Sequence, residues 1–312
     1  MKKTLVVVVL LLSVEALFAQ NVQYKVTRDD PGDINNFWMQ LDLAQMDISY
    51  RNMDGASFNI GLTGVGFLAN ESRLGFDYTA RYGWLTMSRM LDSDFKRALQ
   101  FEAGGLLKLF ETNRVKNAKV VLDRKDYTNR QGNQVTEYTY ITIPANFRKI
   151  VHARGGVYFK RNPLKLDAED VEAGQAFGRG NLVFPGIYLG LSSMRVRNVY
   201  VSTDIFGRTW NSGITRFYAD VIIVPTPLLD GSRLENAKPL GFRFGYSTMA
   251  ADVKKNARKG GFGTQVEVGV RPVEGIYVTG TVYFTIMRKK LTALGYKPRE
   301  GANDKGQIIE KE

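Results

Sequence analysis

Apolar and polar residues alternate with a period of two along most of this chain, most cleanly over residues 264–287. Ile276, Val278, Gly280, Val282, Phe284 and Ile286 there take turns with Tyr277, Thr279, Thr281, Tyr283 and Thr285. Successive side chains of a strand point to opposite faces, so this run predicts a strand with one aliphatic and one hydroxyl-bearing face. The run before it sets Val266, Val268 and Val270 against Gln265, Glu267 and Arg271. Between the two, Pro272, Val273, Glu274 and Gly275 predict a turn.

The same pattern recurs upstream. Leu74, Phe76, Tyr78, Ala80, Tyr82 and Trp84 share a parity opposite Gly75, Asp77, Thr79, Arg81 and Gly83. Val151, Ala153, Gly155, Val157 and Phe159 oppose His152, Arg154, Tyr158 and Lys160, and Leu240, Phe242, Phe244 and Tyr246 oppose Arg243. Further strands are predicted over 38–49, 57–68, 99–110, 119–122, 138–143, 184–194, 198–206 and 215–224, making about thirteen candidates. Residues 129–134 read as a loop tip, and 161–181, 225–238 and 251–263 as longer connections, the first a candidate extracellular loop. Glycines such as Gly61, Gly64, Gly66, Gly104, Gly105, Gly155 and Gly156 fall inside the alternating runs, where they mark bends or close backbone approach.

Two all-β architectures fit such a chain, a soluble sandwich and a membrane β-barrel. In a sandwich the polar face meets water. In a barrel the apolar face meets lipid, the polar face lines the lumen, and Tyr and Trp sit at the interfaces. The aromatics on the apolar face and the embedded glycines favour a closed antiparallel transmembrane β-barrel. Single-chain barrels use even strand numbers, so about 14 strands are expected, with 12 as the alternative. The predicted inward set is Asp77, Arg81, Glu102, Lys108, His152, Arg154, Lys160, Asp204, Asp220, Arg243, Glu267 and Arg271. Acids and bases mixed over many strands predict a lumen crossed by salt bridges, or a narrow polar channel.

The ends of the chain add a location. Lys2 and Lys3, an apolar run over residues 5–12 and Ala16-Leu17-Phe18-Ala19 read as a signal peptide over residues 1–19. Residues 20–37 are expected to be a periplasmic leader, 38–287 the barrel and 288–312 a charged periplasmic tail. No later stretch is long and apolar enough for a membrane helix. With no cysteine, neither a disulfide nor a thiolate metal site is available. The net charge of +12 is scattered along the chain, which points to anionic lipid, glycans or an acidic protein rather than nucleic acid. The densest basic patch, Lys254, Lys255, Arg258 and Lys259, is a candidate for lipopolysaccharide phosphates.

The Phe18-Ala19-Gln20 signal ending, the glycine- and aromatic-rich alternation and the aromatic-containing final strand resemble outer-membrane β-barrel proteins of Bacteroidota-type bacteria. Such barrels usually end at the last strand, whereas here a charged segment follows from Arg288 to Glu312. The resemblance implies residence in a Gram-negative outer membrane. Candidate chemistry is sparse: His152 is the one histidine, and no spacing suits a metal or cofactor. The expected role is non-enzymatic, a structural or accessory interaction component of an envelope export or assembly machine. Its partners would be outer-membrane lipid and periplasmic or outer-membrane proteins. A pore or transporter for small or apolar solutes is the alternative reading, and a lipid-modifying enzyme using His152 a third.

Overall fold

Alternation at period two builds strands throughout the computed structural model, which describes residues 24–28, 37–68, 73–87, 96–165, 179–197, 199–203, 207–210, 213–234, 237–250 and 261–289. In chain order the strands are β1 (Tyr24–Arg28), β2 (Phe37–Ser49), β3 (Asn52–Phe67), β4 (Leu74–Thr86), β5 (Leu99–Thr128), β6 (Gln134–Lys165), β7 (Arg179–Arg197) and β8 (Val199–Thr203). They continue as β9 (Gly207–Trp210), β10 (Gly213–Ile223), β11 (Leu228–Leu229), β12 (Ser232–Arg233), β13 (Leu240–Ala250), β14 (Phe262–Arg271) and β15 (Gly275–Lys289). From β2 to β7 each strand pairs antiparallel with its successor; β7 then pairs with β10, and the order runs on through β13, β14 and β15. β15 pairs back with β2, so ten antiparallel strands form a ring.

Ten strands in the ring correct the expected fourteen. The runs 99–110 and 119–122 belong to one 30-residue strand, β5, and the runs 138–143 and 150–160 to one 32-residue strand, β6. Register shifts at Lys108/Phe110 and Val121/Asp123 break the alternation in β5 without breaking its ladder with β6. Pro144 in β6 lies beyond the reach of β7, whose pairing stops at Phe147, so its missing N–H costs no ladder bond on that side. The run 198–206 leaves the ring altogether. Its β8 pairs with β9 and with β1, a strand inside the leader that shows no alternation. The connection expected over 161–181 is shorter, because β6 runs to Lys165 and β7 begins at Arg179.

Large apolar side chains face outward from the ring, and charged ones are buried within it. Phe242, Phe244 and Tyr246 are about half exposed, while Arg243 among them is 2% exposed. On β15, Ile276, Val278, Val282 and Ile286 are exposed, and Tyr277, Thr279, Thr281, Tyr283 and Thr285 are buried. Charged side chains are almost never buried unless paired, so an interior of this kind demands an internal network.

The turns at Tyr50–Arg51 and 272–274 and the β10–β13 connection mark one mouth of the ring. The chain enters β2 and leaves β15 at the other. There the β5–β6 hairpin continues beyond the ring to a turn at 129–133, where Asn129 accepts backbone N–H bonds from Gln131 and Asn133. The sheet of β1, β8 and β9 leans on that hairpin through Val199 and Val201, packed with Ala118, Val120, Ile143 and Ala145.

Candidate functional site

Inside the ring, a paired charge network occupies the middle, and buried apolar clusters lie toward both mouths. At the terminal end Trp38, Phe67, Leu106, Ile150, Met194 and Tyr283 belong to one buried cluster. At the other mouth Tyr158, Leu182, Phe184, Tyr188, Ile222 and Val224 form a second, with Leu229 and Leu234 of the β10–β13 connection packed against it.

Arg243 of β13 is the centre of the layer between. Its guanidinium binds both oxygens of Glu102 at 2.8 Å, donates from Nε to Asp220 at 2.7 Å and lies 3.6 Å from Glu267. Arg154 of β6 reaches Asp77 at 3.0 Å and Asp220 at 3.2 Å, its guanidinium between the rings of Tyr188 and Tyr218. Arg216 adds a second cation to Asp77 at 2.5 Å. Tyrosine hydroxyls complete the carboxylates' bonding: Tyr188 donates to Asp77 at 2.9 Å, and Tyr218 and Tyr277 donate to Glu267 at 2.5 and 2.7 Å. Pairing of this quality offsets the desolvation of each charge and fixes the strands relative to one another. A cavity of about 70 Å³ remains beside the network.

Glycines give these long side chains room. Arg81 lies across Gly61 to reach Asp42 at 2.6 Å; a Cβ on Gly61 would come within 2.7 Å of its Cγ. Tyr218 lies over its cross-strand partner Gly245, where any Cβ would fall into the ring.

A second charged cluster lies toward the turn-bearing mouth. Arg271 binds Asp47 at 2.8 Å and Glu274 at 3.2 Å, Lys160 binds Asp47 as well, and Asn162 donates to Glu274 at 2.7 Å. Its geometry includes a tight turn at Val273, φ 67°, closed by a Glu274 N–H bond to the Pro272 carbonyl at 2.7 Å. Such a backbone is costly for a β-branched residue, and the buried Glu274 carboxylate tethers it to three elements. Toward the terminal mouth, Glu111 joins Lys108 at 3.1 Å and Arg148 at 2.6 Å. On the projecting hairpin, the Thr136 hydroxyl and the Arg124 guanidinium hold the Asp126 carboxyl below its ordinary range.

Of the residues predicted to face inward, Asp77, Glu102, Arg154, Asp220, Arg243 and Glu267 thus meet in one network. Arg81, Lys108, Lys160 and Arg271 join neighbouring pairs. His152 is buried but stands apart, stacked on Phe67 at 5.1 Å, and neither ring nitrogen hydrogen-bonds to a described residue. Asp204 lies outside the described residues, as do Lys254, Lys255, Arg258 and Lys259. Sequence reasoning missed Asp42, Asp47, Arg216 and Glu274. The two aspartates lie on either side of a register shift between Asp42 and Gln45, which brings an even and an odd position to the same face. Glu274 belongs to a turn, where no periodicity marks direction. Arg216 shares its parity with Asp220, and that signal was available. Among the described residues no group of three or more acidic or histidine side chains suits a metal ion. Comparison with known protein families and with curated proteins finds no match.

Proposed function

We propose that this chain is a ten-stranded outer-membrane β-barrel with a filled lumen, acting as a structural or accessory interaction component of an envelope export or assembly machine. The observation that carries this reading is the inverted burial: apolar and aromatic side chains outside the ring, a paired charge network inside it. A closed strand order leaves no unpaired ladder edge for lipid to meet. The termini would lie in the periplasm, and the mouth that carries the β10–β13 connection would face outward.

The filled interior argues for a support rather than a conduit. Every cation in the central layer already holds a carboxylate, and a buried apolar cluster lies toward each mouth. The projecting hairpin supplies a surface for a protein partner. On its uncovered face Val115 is 66% exposed and Tyr138 and Tyr140 each 52%, with Lys119 over the Tyr140 ring and Arg124 over Tyr138. Exposed aromatic and aliphatic side chains with cations beside them are characteristic of protein interfaces.

The test is reconstitution of the full chain into planar bilayers together with co-purification from outer membranes. The expected results are no single-channel steps and a stoichiometric partner that is lost in Tyr138→Ser/Tyr140→Ser while the fold persists. Well-resolved conductance steps would support a pore instead.

A further inference from the structure

The outward face carries a built gradient of side chains at the terminal rim. Registers across five strands place Phe110, Val151, Ser193, Phe217 and Tyr246 in one outward row. The next row toward the termini is Thr112, Lys149, Arg195, Thr215 and Thr248, and the one beyond contains Arg114, Phe147 and Arg197. Rows two residues apart are about 7 Å apart along the strand, so aromatics give way to hydroxyls and then to guanidinium groups within the depth of a lipid headgroup. These rows line a recess of about 890 Å³ whose lining, among the described residues, includes Arg114, Lys116, Lys149, Arg195 and Arg197 and no acidic residue. No ion pair to an acidic side chain engages Arg114, Lys116, Lys149 or Arg195 among the described residues. Phe147 lines the recess and also packs against the cluster that holds the small sheet, so the pocket has a wall on the hairpin side.

Resting on the membrane reading above, we propose that this recess is a binding site for an anionic phospholipid of the periplasmic leaflet. The phosphate would sit among Lys149, Arg195 and Arg114, with Thr112, Thr215 and Thr248 hydroxyls beneath it. The acyl chains would run along Phe110, Phe217 and Tyr246 toward the apolar rows. Charge complementarity and the adjoining apolar wall select this occupant. A soluble anion would use only the basic half of the recess, and an uncharged lipid only the aromatic half.

The test uses the full chain in mild detergent, titrated with phosphatidylglycerol or phosphatidylcholine and read by native mass spectrometry. Each basic side chain near an anionic surface is worth about fivefold in affinity. Lys149→Gln/Arg195→Gln is therefore expected to weaken phosphatidylglycerol binding by about 25-fold, while Lys125→Gln on the hairpin leaves it unchanged. Excess inorganic phosphate is expected not to displace the lipid. A folded, heat-modifiable protein that binds both lipids equally, with no effect of the double variant, would overturn the site and leave the barrel standing. Displacement by free phosphate would overturn the lipid as occupant. A chain that stays folded and soluble without detergent would overturn the membrane reading and the site together.

Discussion

The guanidinium of Arg243 faces acids from three other strands: Glu102 on β5, Asp220 on β10 and Glu267 on β14. Removing one partner of a buried network leaves the others charged and unpaired, which costs about 3–5 kcal/mol. Arg243→Met is expected to lower stability by about that amount in urea unfolding from detergent. The added changes Glu102→Gln and Asp220→Asn should recover most of it. An Arg243→Met protein as stable as the wild type would show that the network is not what ties these strands together. The inward aim of Arg243 is legible in the sequence, because Phe242 and Phe244 flank it in an unbroken run. The partners of Arg81 and Arg271 are not, since the register shift in β2 sends Asp42 and Asp47 to one face from opposite parities. Residue chemistry is readable where the strand is regular, and it is lost where a bulge resets the phase.

At the scale of elements, the long β5–β6 hairpin does two jobs: its lower part belongs to the ring, and its upper part holds the sheet of β1, β8 and β9. Val120, fully buried, sits in the cluster that contains Val199 and Val201. Val120→Asp is expected to release the small sheet, making the chain near 199–210 sensitive to protease while the ring still unfolds as in the wild type. Unchanged protection in that variant would mean that the sheet is held by other contacts. This arrangement is poorly legible in sequence. Lysines, asparagines and Pro144 interrupt the hairpin's alternation, so four short runs stand where two strands exist. The pairing of β1 with β8 joins segments far apart in the chain, and no local pattern announces a long-range partner.

For the whole molecule, the phase of the alternation is what survives from sequence to structure. Phe242 faces out and Arg243 in, Val278 out and Tyr277 in, Tyr82 out and Arg81 in, and the ring keeps each assignment. Strand number does not survive, because counting runs cannot distinguish one strand of 30 residues from two short ones. The proposal that an apolar solvent surrounds the inverted ring is the centre of the functional reading. The most direct test compares the gel mobility of boiled and unboiled protein extracted from outer membranes in mild detergent. The account predicts a β-rich, detergent-dependent species in the outer-membrane fraction whose mobility shifts on boiling. A protein recovered from the soluble fraction without detergent, and showing no shift, would contradict it.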